Sequence, residues 1–261
     1  MNRFLRNGHG LLLAYDQGFE HGPSDFDAKN IDPDYILDIA RQSQVFTGVI
    51  FQKGVAERYY HREQRTENRK QKTLPPLIIK LNGKTAFHEG EEPFAPLLCT
   101  VTEAIQLGAS GVGYTVYVGS EREAEMMATL GKIVRDCNVR GVPTVAWMYL
   151  RGKQITNQHD PQKLAYAARL ALEIGADAVK LQFAATADKE ESVKQLKWIV
   201  DNAGKCKVFI SGGTKVSDKD ILHSAVIIRQ AGAAGMAVGR NIWQRDYPVE
   251  FAKQIAEILY G

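Results

Sequence analysis

The chain has 261 residues, of which 44% are hydrophobic and 24% charged, a composition that suits a soluble globular protein with a sizeable core. Its 33 basic and 30 acidic residues leave a net charge of +3, which provides no global nucleic-acid footprint and no polybasic membrane patch. Cys99, Cys137 and Cys206 stand far apart without CxxC spacing, so neither a zinc knot nor a disulfide framework is written here, and a reducing compartment is expected.

In chain order, the first strand signal is GLLLAYD, residues 10–16. The apolar run around it meets Asp16 too soon for a signal core or a membrane span, so a cytoplasmic protein is expected. A helix is expected over Asp34 to Val45, followed by a second strand at GVIFQK, 48–53. Residues 58–76, RYYHREQRTENRKQKTLPP, then interrupt the pattern with many charges and no apolar period. They read as a solvated insertion, or as a basic lid over an anionic substrate.

Further strands are expected at LIIKLN (77–82), SGVGYTVY (110–117), PTVAWMY (143–149), DAVKLQF (177–183), KVFIS (207–211) and GMAVG (235–239). Helices are expected between and after them, over Glu121 to Cys137, from Asp160 to Gly175, and over Lys189 to Ala203, Asp218 to Gln230 and Val249 to Leu259. Asp160 followed by Pro161 is an N-cap and first-turn signal, and LGASG, IGADA and AGAAG put glycine just past a helix, as tight helix-to-strand loops require. Strand signals recur about every 30 residues, the length of one βα unit. The expectation is one (β/α)8 barrel domain over 1–261, with a doubly wound open sheet as the alternative.

DAVKLQF carries the functional signal, because an ammonium in a buried strand is costly. Strand alternation sets Ala178, Lys180 and Gln182 opposite Val179, Leu181 and Phe183, and the large apolar set should face the helices. Lys180 then points into the barrel. The same parity groups Trp147 with Tyr149 and Arg151, Leu12 with Ala14 and Asp16, and Lys80 with Asn82. Active sites of such barrels form at the carboxyl ends of the strands, so Asp16, Trp147, Tyr149, Arg151 and Lys180 should share one pocket. Lys180 could be half of a structural ion pair with Asp16. The neighbouring hydroxyl, carboxylate and second lysine, Lys80, instead suit an ammonium whose pKa falls below its reference of about 10.4. A neutral amine can attack a carbonyl and form a Schiff base.

Two glycine-bearing strand ends follow, ISGGTK at 210–215 and AVGRNIW at 237–243. Loops after the seventh and eighth strands commonly hold phosphate. Ser211, Gly212, Gly213, Gly239 and Arg240 can supply amides, a hydroxyl and a guanidinium, while Arg151 could hold a second phosphate across the pocket. Taken singly, such glycines could serve only as turns.

AYDQGFEHGP, LIIKLNGKT, the WxYxRG element at 147–152, GADAVK, SGG and AVGRNIWQR occur in order across almost the whole chain. Together they make the sequence resemble the archaeal-type class I fructose-bisphosphate aldolases, the DhnA-like family. The resemblance implies metal-independent, cofactor-free cleavage of fructose 1,6-bisphosphate to dihydroxyacetone phosphate and glyceraldehyde 3-phosphate, within glycolysis and gluconeogenesis. It implies that Lys180 forms the Schiff base, that Tyr149 is the general acid/base and that Asp16 assists proton transfer. It implies too that Trp147 packs against substrate, and that Ser211, Gly212, Gly239 and Arg240 contact phosphate. Assembly into homo-oligomers is likewise implied, and the apolar C-terminal helix fits that role or packing on its own barrel. Gln182, Phe183 and Leu150 depart from the family pattern and bear on substrate detail.

Three rival readings share these residues. One is an aldol transferase of the 2-amino-3,7-dideoxy-heptulosonate synthase kind, and another is a phosphosugar-binding barrel without catalysis. The third is metal-dependent cleavage. His9, His61, His88, His159 and His223 show no HxH or HExxH spacing, although Glu20 and His21 lie near Asp16, and zinc sites take about three protein ligands.

Overall fold

Every expected strand forms, and their pairing order closes the sheet on itself. The computed structural model describes residues 1–61, 73–88 and 90–261. Its strands are β1 (Gly10–Ala14), β2 (Gly48–Gln52), β3 (Leu77–Lys80), β4 (Gly111–Val118), β5 (Thr144–Leu150), β6 (Ala178–Leu181), β7 (Lys207–Ser211) and β8 (Gly235–Val238). All pairs are parallel, and β8 returns to β1. The chain is a (β/α)8 barrel, not an open sheet. Among the described residues no helix is long and apolar enough to cross a membrane.

The expected helices differ from the observed ones only at their ends. Asp160 accepts from the amides of Gln162 and Lys163 at the start of Pro161–Ile174, and Gly175, at φ 92°, ends it. Glu123–Arg140 runs past Cys137 to Gly141, whose left-handed φ of 65° stops it. The C-terminal helix Pro248–Tyr260 buries Phe251, Ile255 and Leu259 against its own barrel. Four short helices among the described residues, Gly18–His21, Lys53–Val55, Val101–Gln106 and Arg240–Trp243, were not expected, since runs of three to six residues carry no apolar periodicity. Most of the charged stretch 58–76 falls on 62–72, outside the described residues. Before it, helix Lys53–Val55 continues through a π turn at Ala56–Tyr60. The Tyr60 hydroxyl donates to the Pro75 carbonyl at 2.9 Å, which ties the two sides of the stretch together.

Alternation sorts the core into two parts. Outward residues such as Leu13, Phe51, Ile79, Val179, Leu181 and Ile210 pack under the helices. Inward ones, including Leu12, Ile50, Ile78, Val145, Ala178 and Phe209, fill the barrel with Trp147. Phe4, in the turn Asn2–Phe4, plugs the amino end. Gly48 and Gly111 leave space for it, because a Cβ at either would lie 2.9 or 3.0 Å from the ring. Gly113 does the same for Trp147, whose indole would overlap a Cβ placed there. Gly113→Ala should therefore lower stability by about 1–3 kcal/mol through overpacking. Thermal unfolding checks this, and an unchanged midpoint would mean that the indole can move aside.

Candidate active site

Above the Trp147 layer the inward positions change from apolar to charged. Strand register sets the neighbours: Lys180 of β6 pairs with Trp147 of β5, and Lys80 of β3 with Gln52 of β2. Lys180 is 6% exposed, and its Nζ lies 5.1 Å from the centre of the Trp147 ring. Asp16, one step past Tyr15 at the end of β1, and Lys80 are also buried. A cavity of about 740 Å³ opens over this layer at the carboxyl ends of the strands. Asp16, Lys80, Tyr149, Arg151 and Lys180 line one part of its wall, and Ser211, Gly212, Gly213, Gly239 and Arg240 another.

Two expected members lie elsewhere. Trp147 is 1% exposed, lies beneath Lys180 and is not among the residues that line the cavity. The empty inner side of Gly113 lets the indole sink that far. Asn82 is fully buried and its amide is spent on backbone. Nδ2 donates to the carbonyls of Ala95 and Thr115 at 3.0 and 2.9 Å, and Oδ1 accepts from the Thr115 amide at 2.8 Å. The chain leaves β3 after Lys80, so Asn82 extends the ladder to β4 with its side chain instead of facing the cavity.

The charges are divided between two lysines. Nζ of Lys80 lies 2.7 Å from Oε1 of Glu20 and 3.6 Å from Oδ2 of Asp16. Burial pushes the Lys80 pKa down, but the charges of Glu20 and Asp16 more than offset this and hold it above the ordinary lysine range. Lys180 forms no ion pair or hydrogen bond among the described residues, so Lys80 takes the pairing with Asp16. Burial is the largest influence on Lys180 and lowers its pKa; Asp16 opposes, Lys80 adds to the lowering, and the net direction is down. Burial raises Asp16, yet the Lys180 and Lys80 charges keep it below the usual carboxylate range. The site thus holds a charged lysine, a charged carboxylate and an amine biased towards neutrality. Burial, with the Asp16 and Glu20 charges, pushes the Tyr149 hydroxyl well above its ordinary value, so it keeps its proton at neutral pH.

The glycine loops differ in detail from the sequence expectation. The Gly212 amide donates to the Ala237 carbonyl at 2.9 Å and extends the β7–β8 ladder, so it is not free for an anion. Gly213 has φ 65°, and a Cβ on Gly239 would lie 2.5 Å from the Ala14 carbonyl oxygen, so both positions require glycine. Buried Asn241 ties the loops together by donating to the carbonyls of Gly212 and Thr214 at 2.7 and 2.8 Å. Arg240 is already paired, with NH1 3.3 Å from both carboxylate oxygens of Asp25.

A lysine inside a closed barrel, under a cavity with paired glycine loops, is a lyase-like constellation, and comparison with known proteins decides the family. Residues 11–245 match the family described as DeoC/LacD family aldolase. The chain belongs to that aldolase family. It is 45% identical over 261 residues to the class 1 fructose-bisphosphate aldolase of Thermoproteus tenax, covering 99% of this chain and 92% of that one. The class 1 fructose-bisphosphate aldolase of Halobacterium salinarum is 39% identical over 257 residues, covering 98% and 92%. A solved archaeal fructose-1,6-bisphosphate aldolase, with its catalytic Lys covalently bound to the carbinolamine intermediate of the substrate, superposes with a TM-score of 0.88 at 44% identity. That match covers 100% of this chain and 97% of the other. The resemblance drawn from the motifs is borne out.

The pocket expected from the sequence of this aldolase left out four residues that shape the site, although the sequence sets Glu20 near Asp16 as a possible metal ligand. Glu20 lies four residues past Asp16, and the turn Gly18–His21 folds it back onto Lys80. Tyr117 was hidden in the fourth strand; its hydroxyl donates to Glu20 at 3.3 Å. Asp25 and Asn241 carried no local signal. Lys80→Met should leave the buried Asp16 and the partly exposed Glu20 without their shared cation, at a cost of up to about 3–5 kcal/mol. It should also move the pH profile of imine formation at Lys180 upward, because a like charge is lost and two carboxylates are freed. A melting curve and a trapping profile read these effects; an unmoved profile contradicts the division of charge.

Proposed function

We propose that the chain is a class I, Schiff-base fructose-1,6-bisphosphate aldolase that cleaves its substrate reversibly to dihydroxyacetone phosphate and glyceraldehyde 3-phosphate. The observation that carries this is Lys180, buried at the cavity floor and without an ion partner among the described residues, while Lys80 holds the carboxylates. Relatives named as class 1 fructose-bisphosphate aldolases over nearly the full chain support the substrate.

In the proposed sequence, neutral Lys180 attacks the C2 ketone and forms a carbinolamine. Tyr149, protonated because its pKa is raised, gives its proton to the departing hydroxyl, and water leaves an iminium. The resulting phenolate, beside Asp16, takes the C4 hydroxyl proton as the C3–C4 bond breaks. The bonding pair enters the iminium, which becomes an enamine, and glyceraldehyde 3-phosphate departs. Tyr149 then protonates C3. Water adds to the iminium, its proton returns to Tyr149, and dihydroxyacetone phosphate is released with free Lys180. Asp16, held ionised by both lysines, stabilises the iminium charge throughout.

The glycine loops suit the phosphate next to C2. Their contribution is shape and the Ser211 hydroxyl, with Gly212 maintaining the ladder. Arg240 joins them as a guanidinium already shared with Asp25.

The experiment is cleavage of fructose 1,6-bisphosphate in excess chelator, followed through triose phosphate release. Full rate in chelator is expected. No cleavage, with transfer to an aspartate semialdehyde acceptor instead, would assign the site to the transferase reaction, and loss of rate in chelator would assign it to metal-dependent chemistry.

A further inference from the structure

Two guanidiniums line the cavity, and they are held by opposite means. Arg240 faces the Asp25 carboxylate, and both side chains are 16% exposed. Arg151 forms no ion pair among the described residues. Its NH2 donates to Oε1 of Gln182 at 2.8 Å, and its NH1 to the Leu150 carbonyl at 2.8 Å. A neutral amide fixes the direction of a guanidinium while leaving its charge intact, whereas a carboxylate fixes direction and cancels charge. Gln182 is itself anchored, because Nδ1 of His159 donates to its backbone carbonyl at 2.9 Å. β6 ends at Leu181, so Gln182 is free to turn its side chain from the barrel axis towards β5.

Placement gives this cation its task, on the footing of the aldolase reading above. Tyr149 and Arg151 are two residues apart at the end of β5, and the Arg151 Cζ lies 5.9 Å from the Tyr149 ring centre. With Tyr149 serving the C4 hydroxyl, the C4–C6 half of the sugar lies over β5. Its terminal phosphate then falls towards Arg151. We infer that Gln182 is the specificity-determining residue for the C6 phosphate, positioning an uncompensated Arg151 to meet that dianion.

Gln182 lines the cavity, but its side-chain oxygen is engaged by Arg151, and it acts on the phosphate through that guanidinium as a positioning residue. The test compares purified Gln182→Glu and Gln182→Leu with the unaltered protein on fructose 1,6-bisphosphate and on fructose 1-phosphate, which lacks the C6 phosphate. An introduced carboxylate cancels the Arg151 charge, so KM for the bisphosphate should rise about tenfold or more while kcat changes little. KM for the monophosphate should change by less than about twofold, since uniform binding at the C1 end is untouched. Gln182→Leu, which loses the clamp without adding charge, should show the same selectivity with a smaller rise. A rise shared by both substrates, or no rise for the bisphosphate in either variant, overturns the inference while leaving the aldolase reading in place. Failure of the unaltered protein to cleave the bisphosphate overturns both. Thermal unfolding of each variant excludes a folding defect as the cause.

Discussion

Lys180→Met is expected to reduce cleavage of fructose 1,6-bisphosphate by roughly 10⁴-fold or more, because the covalent route is lost as a whole. Methionine occupies similar volume, and the site keeps its internal pairing: Asp16 and Glu20 remain with Lys80. Removing an amine that has no ion partner among the described residues costs Asp16 one of the two charges that hold it ionised but leaves it 3.6 Å from Lys80, so the variant should melt near the temperature of the unaltered protein. A coupled assay and a melting curve made on one preparation test both statements. Activity within about tenfold of the original would show that the amine is not the nucleophile.

Tyr149→Phe should slow turnover by about 10² to 10⁴, the usual contribution of a positioned acid/base. The hydroxyl is the group that moves each proton in the proposed cycle, and its raised pKa gives it the proton with which the cycle begins. Imine formation should slow as well, since dehydration loses its acid. Trapping with borohydride should nevertheless reach the same final extent, because the Lys180 amine is intact. Turnover within about threefold of the original contradicts the role; no trapping at any time assigns Tyr149 to maintaining the pocket.

The barrel was legible because its signals are local and repeat. Period-two alternation placed Lys180, Tyr149 and Asp16 inward, and all three line the one cavity at the barrel mouth. Alternation gives the face of a side chain, not its height along the barrel axis. Trp147 therefore joined the expected pocket although it lies beneath it, sunk over Gly113. Asn82 failed for a related reason: parity continues only as long as the strand does, and β3 stops at Lys80. The charge division depended on Glu20 and Asp25, which loops after β1 carry back over the barrel mouth. No sequence period encodes such a return. The two loops after β7 and β8 were visible as glycines, yet only the hydrogen bonds distinguish the Gly212 amide, spent on Ala237, from groups open to a ligand.

The central claim is that the Lys180 amine, not that of Lys80, bonds covalently to the substrate ketone. Incubation of the chain with dihydroxyacetone phosphate and borohydride, followed by proteolysis and mass measurement, tests it directly. The account predicts one reduced adduct on the peptide that contains Lys180 and none on the peptide that contains Lys80. An unmodified Lys180 peptide at saturating dihydroxyacetone phosphate, or an adduct on Lys80, would contradict it.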